Sequence, residues 1–78
     1  MTDHLLDVFA VGLNTTIDRL SDETSPDNNS AWDSLAAMEL VMLIEERFET
    51  KLSTRDIMKM RSIGAARDVL RAKGVEGL

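Results

Sequence analysis

The sequence predicts an all-α protein, a small bundle of three main helices plus one short helix, in a single domain over residues 1–78. Two observations support this fold class. Apolar residues recur at the spacing of a helical face in several segments, and no segment alternates apolar and polar residues as a half-buried strand does. A chain of 78 residues suits one domain with a thin core, so we expect modest stability.

The composition narrows the classes of function. The chain has no cysteine and one histidine, which excludes disulfides and thiolate metal sites and leaves no metal site expected. Its net charge of −5 argues against nucleic-acid binding. Residues 1–46 hold ten acidic side chains against one basic, and residues 47–78 hold eight basic against four acidic. The acidic front half is expected to attract basic partners. With no membrane span and no signal peptide, the prediction is a soluble, cytoplasmic protein.

The first predicted helix runs from about Asp3 to Thr15, with Thr2 or Asp3 as its cap. Gly12 weakens it by about 1 kcal/mol relative to alanine. Its apolar face consists of Leu6, Phe9, Ala10, Leu13 and Ile17. Because these residues follow helical spacing, they are predicted to face the core.

A polar segment, residues 18–33, follows the first helix. It is rich in Ser, Asp, Asn and Pro, which favour turns. The segment is longer than most connections in a compact domain, so we expect Leu20 and Trp32 to anchor it. Trp32 is predicted to cover the end of the bundle, and contact with cargo or a partner is the alternative.

The second helix is predicted to be capped by Asp33 or Ser34 and to end at Phe48 or Glu49. Its inner face is purely apolar and consists of Ala37, Leu40, Val41, Ile44 and Phe48. Its outer face is unusual, because apolar and acidic side chains are mixed there. These are Leu35, Met38, Met42, Glu39, Glu45, Glu46 and Glu49. Scattered surface hydrophobes are one interpretation, and a docking surface with an acidic rim is the other.

Two further helices complete the fold. Ser53 and Asp56 form a variant capping box that opens a short helix through Met60. Ser62 caps the last helix, and Gly74 ends it. Its inward residues are predicted to be Ile63, Ala66, Val69 and Leu70. Ile57, Met58 and Met60 are candidates for lining a cargo pocket, although core packing is favoured for Ile57 and Met60.

Ser34 is the candidate functional residue. Nucleophilic catalysis would need a base and a group that orients it, and the only histidine is His4, near the N-terminus. Catalysis is therefore not expected. On local sequence alone, Ser34 is either a helix cap or a point of attachment.

A resemblance to a known family bears on this choice. The stretch from Asp33 to Met42, DSLAAMELVM, resembles the D-S-L-x-x-x-E-L-V-M pattern of the second helix in acyl carrier proteins. The length, the charge, the missing cysteines and the long first loop agree with that family. The resemblance covers nearly the whole chain, most strongly from Trp32 to Phe48.

The resemblance implies a function. Ser34 would receive a 4′-phosphopantetheine arm from coenzyme A through a separate Mg²⁺-dependent phosphopantetheinyl transferase, with Asp33 as an acid that helps hold the metal. The arm would carry acyl or aminoacyl groups as thioesters, so the protein would be a carrier and not an enzyme. Its partners would be a loading ligase and downstream transferases or synthases of a lipid, polyketide or other specialised pathway. The protein is expected to be a monomer. The docking residues would be Leu35, Met38, Glu39, Met42, Glu45 and Glu46.

The chain departs from the family pattern at several positions. These are Trp32, Ala36, Arg47, Lys51 and Arg55. Because the last three add positive charge, partners are expected to meet a face with both signs of charge. An unmodified helical adaptor that uses Leu35, Met38 and Met42 to bind a protein is the alternative function. A peptidyl carrier cut from a larger synthetase is a third, which the short flanks and high acid content disfavour.

Overall fold

The computed structural model describes residues 3–75 and residue 78, and within them it is helical with no strand. The elements are α1 (His4–Gly12), a 3₁₀ turn (Ile17–Arg19), α2 (Ser34–Arg47), α3 (Thr54–Lys59) and α4 (Ile63–Ala72). Three longer helices and one short helix confirm the predicted fold class. No helix in this part of the chain is long and apolar enough to cross a membrane.

The core lies where α1 packs against α2 and α4, while α3 packs against α4. Its largest fully buried side chains are Leu5, Phe9, Leu40, Ile44, Ile63 and Leu70. Because each long helix contributes to this set, no helix is stable without its neighbours.

Helix α1 begins as predicted, since the Asp3 carboxylate accepts a hydrogen bond from the Leu6 N–H at 3.1 Å. The other predicted cap, Thr2, lies outside the described residues. The helix ends at Gly12, three residues before the predicted end. Asn14 takes a left-handed conformation with φ of 55°, and the Thr15 N–H donates to the Ala10 carbonyl at 2.9 Å, which closes the helix.

The predicted apolar face of α1 is correct in part. Phe9, Ala10 and Leu13 are buried and Leu6 is half-buried, but Ile17 is 38% exposed. The prediction for Ile17 is wrong because the helix has already ended and the chain has turned. Leu5 and Val8 are buried although the spacing did not select them.

The long loop, residues 20–33, is held at both ends and in its middle. Leu20 and Trp32 are buried, which confirms both predicted anchors. The Trp32 ring packs on Phe9 with 5.1 Å between centroids, so it covers the bundle end as predicted. Backbone N–H groups at the start of α4 donate to the carbonyls of Asp22 and Thr24.

Arg67 ties the loop to two helices, and the sequence did not single it out. It lies on α4 with its side chain only 9% exposed, and it donates to the carboxylates of Asp3 at 2.9 Å and Asp22 at 2.8 Å. Burial lowers the pKa of Arg67, but the hydrogen bonds to Asp22 and Asp3 outweigh it and hold the pKa above its ordinary value. Burial likewise raises the pKa of Asp3, and the bonds from Arg67 and Leu6 more than reverse that effect.

The capping residues predicted for α3 and α4 are found at the ends of these helices. The capping box of Ser53 and Asp56 is present, and the Ser62 hydroxyl accepts from the Ala65 N–H at 3.0 Å. Helix α4 ends in a Schellman motif at Gly74, whose φ is 83°. The predicted inward residues Ile63, Ala66, Val69 and Leu70 are all buried.

The inner face of α2 is confirmed at its centre. Leu40 and Ile44 are buried, whereas Ala37, Val41 and Phe48 are only half-buried. The sequence did not select Ala36, which is also buried. The helix ends at Arg47 with Phe48 as its C-cap, one residue before the earlier of the two predicted ends.

Candidate functional site

Ser34 is the first residue of α2, and its side chain is exposed. The preceding residue, Asp33, has an extended backbone and is the N-cap, since its carboxylate accepts from the Ala36 N–H at 2.9 Å. Of the two predicted caps, Asp33 is therefore correct. The interpretation of Ser34 as only a cap is wrong, because Ser34 already lies within the helix.

The backbone beside Ser34 offers free hydrogen-bond donors. In the part of the chain that the structure describes, the N–H groups of Ser34 and Leu35 have no acceptor, as is usual for the first turn of a helix. An exposed hydroxyl thus lies next to two free N–H groups at the positive end of a 14-residue helix. This is a favourable place for an anion.

Ser34 also borders a shallow cleft between the long loop and α2. The cleft has a volume of about 340 Å³, and its lining is mostly apolar. The lining residues are Pro26, Trp32, Asp33, Ser34 and Ala37. A group attached to Ser34 would therefore start at the edge of this cleft.

The outer face of α2 presents large apolar side chains to solvent. Leu35 is 77% exposed, Met38 is 69% exposed and Met42 is 67% exposed. The structure therefore brings Ser34 and these three residues onto one accessible surface. Such exposure of adjacent large hydrophobic residues is typical of an interaction surface.

The three acidic residues predicted for docking differ in their surroundings. Glu39 and Glu46 are exposed. Glu45 is half-buried, and its carboxylate accepts a hydrogen bond from the Leu52 N–H at 2.8 Å. Glu45 therefore also holds the connector after α2, a role that the sequence did not reveal because Leu52 lies seven residues further along the chain.

The surface of α3 carries the opposite charge. Lys51, Arg55, Lys59 and Arg61 are exposed, and no carboxylate of the described residues lies within ion-pair distance of them. Asp56 is paired with Lys73 of the chain end at 2.7 Å, and the hydrogen bond from Lys73 lowers the pKa of Asp56 to about 2. The acidic residues of the predicted docking face thus lie on α2, whereas these four basic residues lie on α3 and in the connectors on either side of it. Arg47, the other basic residue in the expectation, lies at the C-terminal end of α2.

The residues proposed for a cargo pocket differ in their burial. Met60 is buried in the core, as favoured from the sequence, whereas Ile57 is 39% exposed and Met58 is 72% exposed. The prediction of core packing for Ile57 is therefore wrong, because α3 is a single short helix with no buried residue of its own.

The position of His4 bears on the expectation that Ser34 is not a catalytic nucleophile. The His4 ring lies 3.2 Å from the Arg47 guanidinium, at the C-terminal end of α2. At 1.5 Å per residue, the other end of that helix, where Ser34 lies, is about 20 Å away. His4 therefore cannot act as a base on Ser34. No cluster of potential metal ligands occurs among residues 3–75 and 78.

The fold and this site together define a small helical domain with an exposed serine at the start of its second helix. The sequence matches the family described as "Phosphopantetheine attachment site" over residues 3–70. It is 28% identical over 75 residues to an acyl carrier protein of Syntrophus aciditrophicus (strain SB), covering 96% of this chain and 94% of the relative.

A solved structure agrees with these matches. The solution NMR structure of holo acyl carrier protein from Geobacter metallireducens superposes with a TM-score of 0.80 and 28% sequence identity, covering 91% of this chain and 82% of the other. The chain belongs to the acyl carrier protein family. Members of this family are carrier proteins and not enzymes. They interact with a phosphopantetheinyl transferase and with biosynthetic enzymes. The predicted cofactor, a covalent 4′-phosphopantetheine, is confirmed.

Proposed function

We propose that Ser34 is the attachment site of the phosphopantetheine arm and that the protein carries acyl or aminoacyl groups on it as thioesters between enzymes of a biosynthetic pathway. The observation that carries the proposal is the position of Ser34. It is exposed at the start of α2, it lies inside the matched residues 3–70, and its hydroxyl makes no hydrogen bond within the described chain. Because Asp33 already caps the helix, Ser34 has no structural task there.

The residues around Ser34 suit a phosphodiester. When bound, the arm supplies a terminal thiol that forms thioesters, which this cysteine-free chain does not have. On modification, the Ser34 hydroxyl would lose its proton to a base of the transferase or to solvent, and its oxygen would bond to the phosphorus that carries the pantetheine. The phosphoanhydride bond of coenzyme A would break, and adenosine 3′,5′-bisphosphate would leave. The free N–H groups of Ser34 and Leu35 would then lie beside the phosphate, and this favourable placement would contribute about 0.3–1 kcal/mol at an exposed site.

Asp33 has a second role in this proposal. One of its carboxylate oxygens accepts from Ala36, and the other has no hydrogen-bond partner in the described part of the chain. That second oxygen, on an exposed side chain next to Ser34, is available to a Mg²⁺ ion held by the transferase. The helix cap meanwhile keeps the carboxylate at the correct place.

The docking surface is proposed to be the outer face of α2. Leu35, Met38 and Met42 would supply apolar contacts, and Glu39, Glu45 and Glu46 would meet basic residues of the transferase, the loading ligase and later transferases or synthases. Adjacent methionines adapt to different partners, which suits a carrier that visits several enzymes. Residues 1–78 would act as one carrier domain and as a monomer in the cytoplasm, in a lipid, polyketide or other specialised pathway.

An unmodified adaptor is the second candidate, and the same exposed apolar face of α2 favours it. The two candidates differ at Ser34. The adaptor needs only the surface of α2, whereas the carrier needs the hydroxyl.

Intact mass spectrometry separates the two. The apo protein is incubated with coenzyme A, Mg²⁺ and a broad-specificity phosphopantetheinyl transferase, and we expect the mass of one phosphopantetheine to be gained. Ser34→Ala should gain nothing, although circular dichroism should show it folded, and Ser30→Ala, an exposed loop serine, should be modified like the wild type. An unmodified wild type would support the adaptor.

A further inference from the structure

The cleft beside Ser34 has no part in the function proposed so far. It is concave, mostly apolar, and formed by the long loop on one side and the first turns of α2 on the other. Of its lining residues, Pro26 is exposed, Ala37 is half-buried, and Trp32 is buried with 6% of its surface exposed. Ser34 is itself a lining residue, so a group bound covalently to its oxygen is held at the cleft at a high effective concentration.

Two apolar surfaces are within reach of such a group. One consists of the side chains of Leu35, next to Ser34, and Met38, one helical turn later, which project into solvent at 77% and 69% exposure. The other is the cleft, which Ala37 borders from the neighbouring position of the same turn. A small apolar group loses more contact with water in a concave site than on a projecting, flexible side chain, so the cleft is the better site.

We infer that the pantoyl segment of the arm, the part next to the phosphate, lies in this cleft against Pro26, Trp32 and Ala37. The inference rests on the proposed attachment at Ser34. In the phosphopantetheine arm, a single methylene group separates the phosphate ester oxygen from the carbon that bears two methyl groups. If the phosphate lies beside the free N–H groups of Ser34 and Leu35, these methyl groups would reach the edge of the cleft.

The same placement explains which parts of the arm stay outside the cleft. The hydroxyl and amide groups of the arm are polar and remain in water, so the thiol end stays free to reach an enzyme. Among the residues that the structure describes, Asp33 is the only charged side chain that lines the cleft, and it is exposed. The cleft therefore suits the uncharged dimethyl group and not the phosphate or a charged cargo. It positions the base of the arm toward the long loop and away from Met38.

The test uses isotope-filtered NMR on the intact protein. Protein labelled with ¹³C and ¹⁵N is modified with unlabelled coenzyme A, and intact mass confirms one arm before any spectrum is recorded. We expect nuclear Overhauser effects from the two arm methyl groups to the Ala37 methyl, the Trp32 ring and the Pro26 ring. Effects to Leu35 or Met38 alone, or no effect beyond Ser34, would overturn the inference.

Two matched variants sharpen the result. Pro26→Gly removes one wall of the cleft and should weaken the effects to Trp32 and Ala37, whereas Ser30→Ala, at an exposed loop serine outside the cleft lining, should leave them unchanged. Equal loss in both variants would contradict the inference, and the wild-type spectrum decides the question even if Pro26→Gly does not fold. Failure to gain the arm would contradict the proposed function instead, so the two failures are distinguishable.

Discussion

Arg67 is the residue whose replacement tests most directly how this small domain holds its long loop. Arg67→Met keeps most of the apolar stem and removes the guanidinium that joins Asp3, at the start of α1, to Asp22 in the loop. The guanidinium makes two short hydrogen bonds, at 2.8 and 2.9 Å, and two longer ones at 3.3 Å. The loss of these bonds should lower the free energy of unfolding.

The size of the effect follows from the exposure of the partners. Two short charge-assisted bonds contribute about 3–6 kcal/mol together if all groups are buried. The Asp3 and Asp22 side chains are 32% and 58% exposed, so both carboxylates regain water when the guanidinium is removed. No buried unpaired charge remains, and solvent already weakens the pairs. We therefore expect a loss of about 2 kcal/mol.

Urea unfolding followed by far-ultraviolet circular dichroism measures this loss. Arg71→Met is the matched control, because Arg71 is an exposed arginine on the same helix, and it should change the stability by less than about 0.5 kcal/mol. Asp22→Asn, expected to cost about 1 kcal/mol, serves if Arg67→Met does not fold. Equal stability of the two methionine variants would refute the structural role given to Arg67.

Two further predictions concern packing and pH. Gly12→Ala should destabilise the protein by about 1 kcal/mol. Alanine favours a helix, but the alanine methyl group would collide with the buried side chain of Leu40 on α2. A variant that is more stable than the wild type in urea unfolding would contradict the close approach of the two helices. The pKa of Asp56 is lowered from 3.8 to about 2 by the hydrogen bond from Lys73, so its contribution is complete above about pH 4 and is lost as the pH falls toward 2. The difference in Tm between wild type and Asp56→Asn should therefore be largest at neutral pH and vanish near pH 2, and a difference independent of pH would argue against the ion pair.

Short-range signals in the sequence predicted the helix starts. Asp3, Ser53 and Ser62 are caps whose hydrogen bonds reach only three residues along the chain, so a local pattern contains all the information. The inner face of α4 was predicted for the same reason, since a strong apolar periodicity needs no knowledge of the partner helix. The failures at Ile17 and Ile57 have the opposite cause. Both residues are apolar, but their burial depended on how other segments of the chain pack near them.

The candidate site was likewise predictable from the sequence only in part. The resemblance of residues 33–42, together with the length, the charge, the missing cysteines and the long first loop, predicted the family and the cofactor. These features can be read from the sequence because the proposed attachment depends on a short stretch at a helix start. The D-S-L pattern left open which residue caps the helix, and the structure assigns the cap to Asp33. It also gave no sign that Glu45 holds the backbone of Leu52.

By itself, therefore, the sequence determined the number and order of the helices, the caps of α1, α3 and α4, and the chemistry that a serine at the start of α2 makes possible. The tertiary structure decided the cleft beside Ser34 and the burial of Arg67, whose partners lie 45 and 64 positions away along the chain. The physical reason is range: capping and helical periodicity act within one or two turns, whereas ion pairs and clefts form only where distant segments pack together.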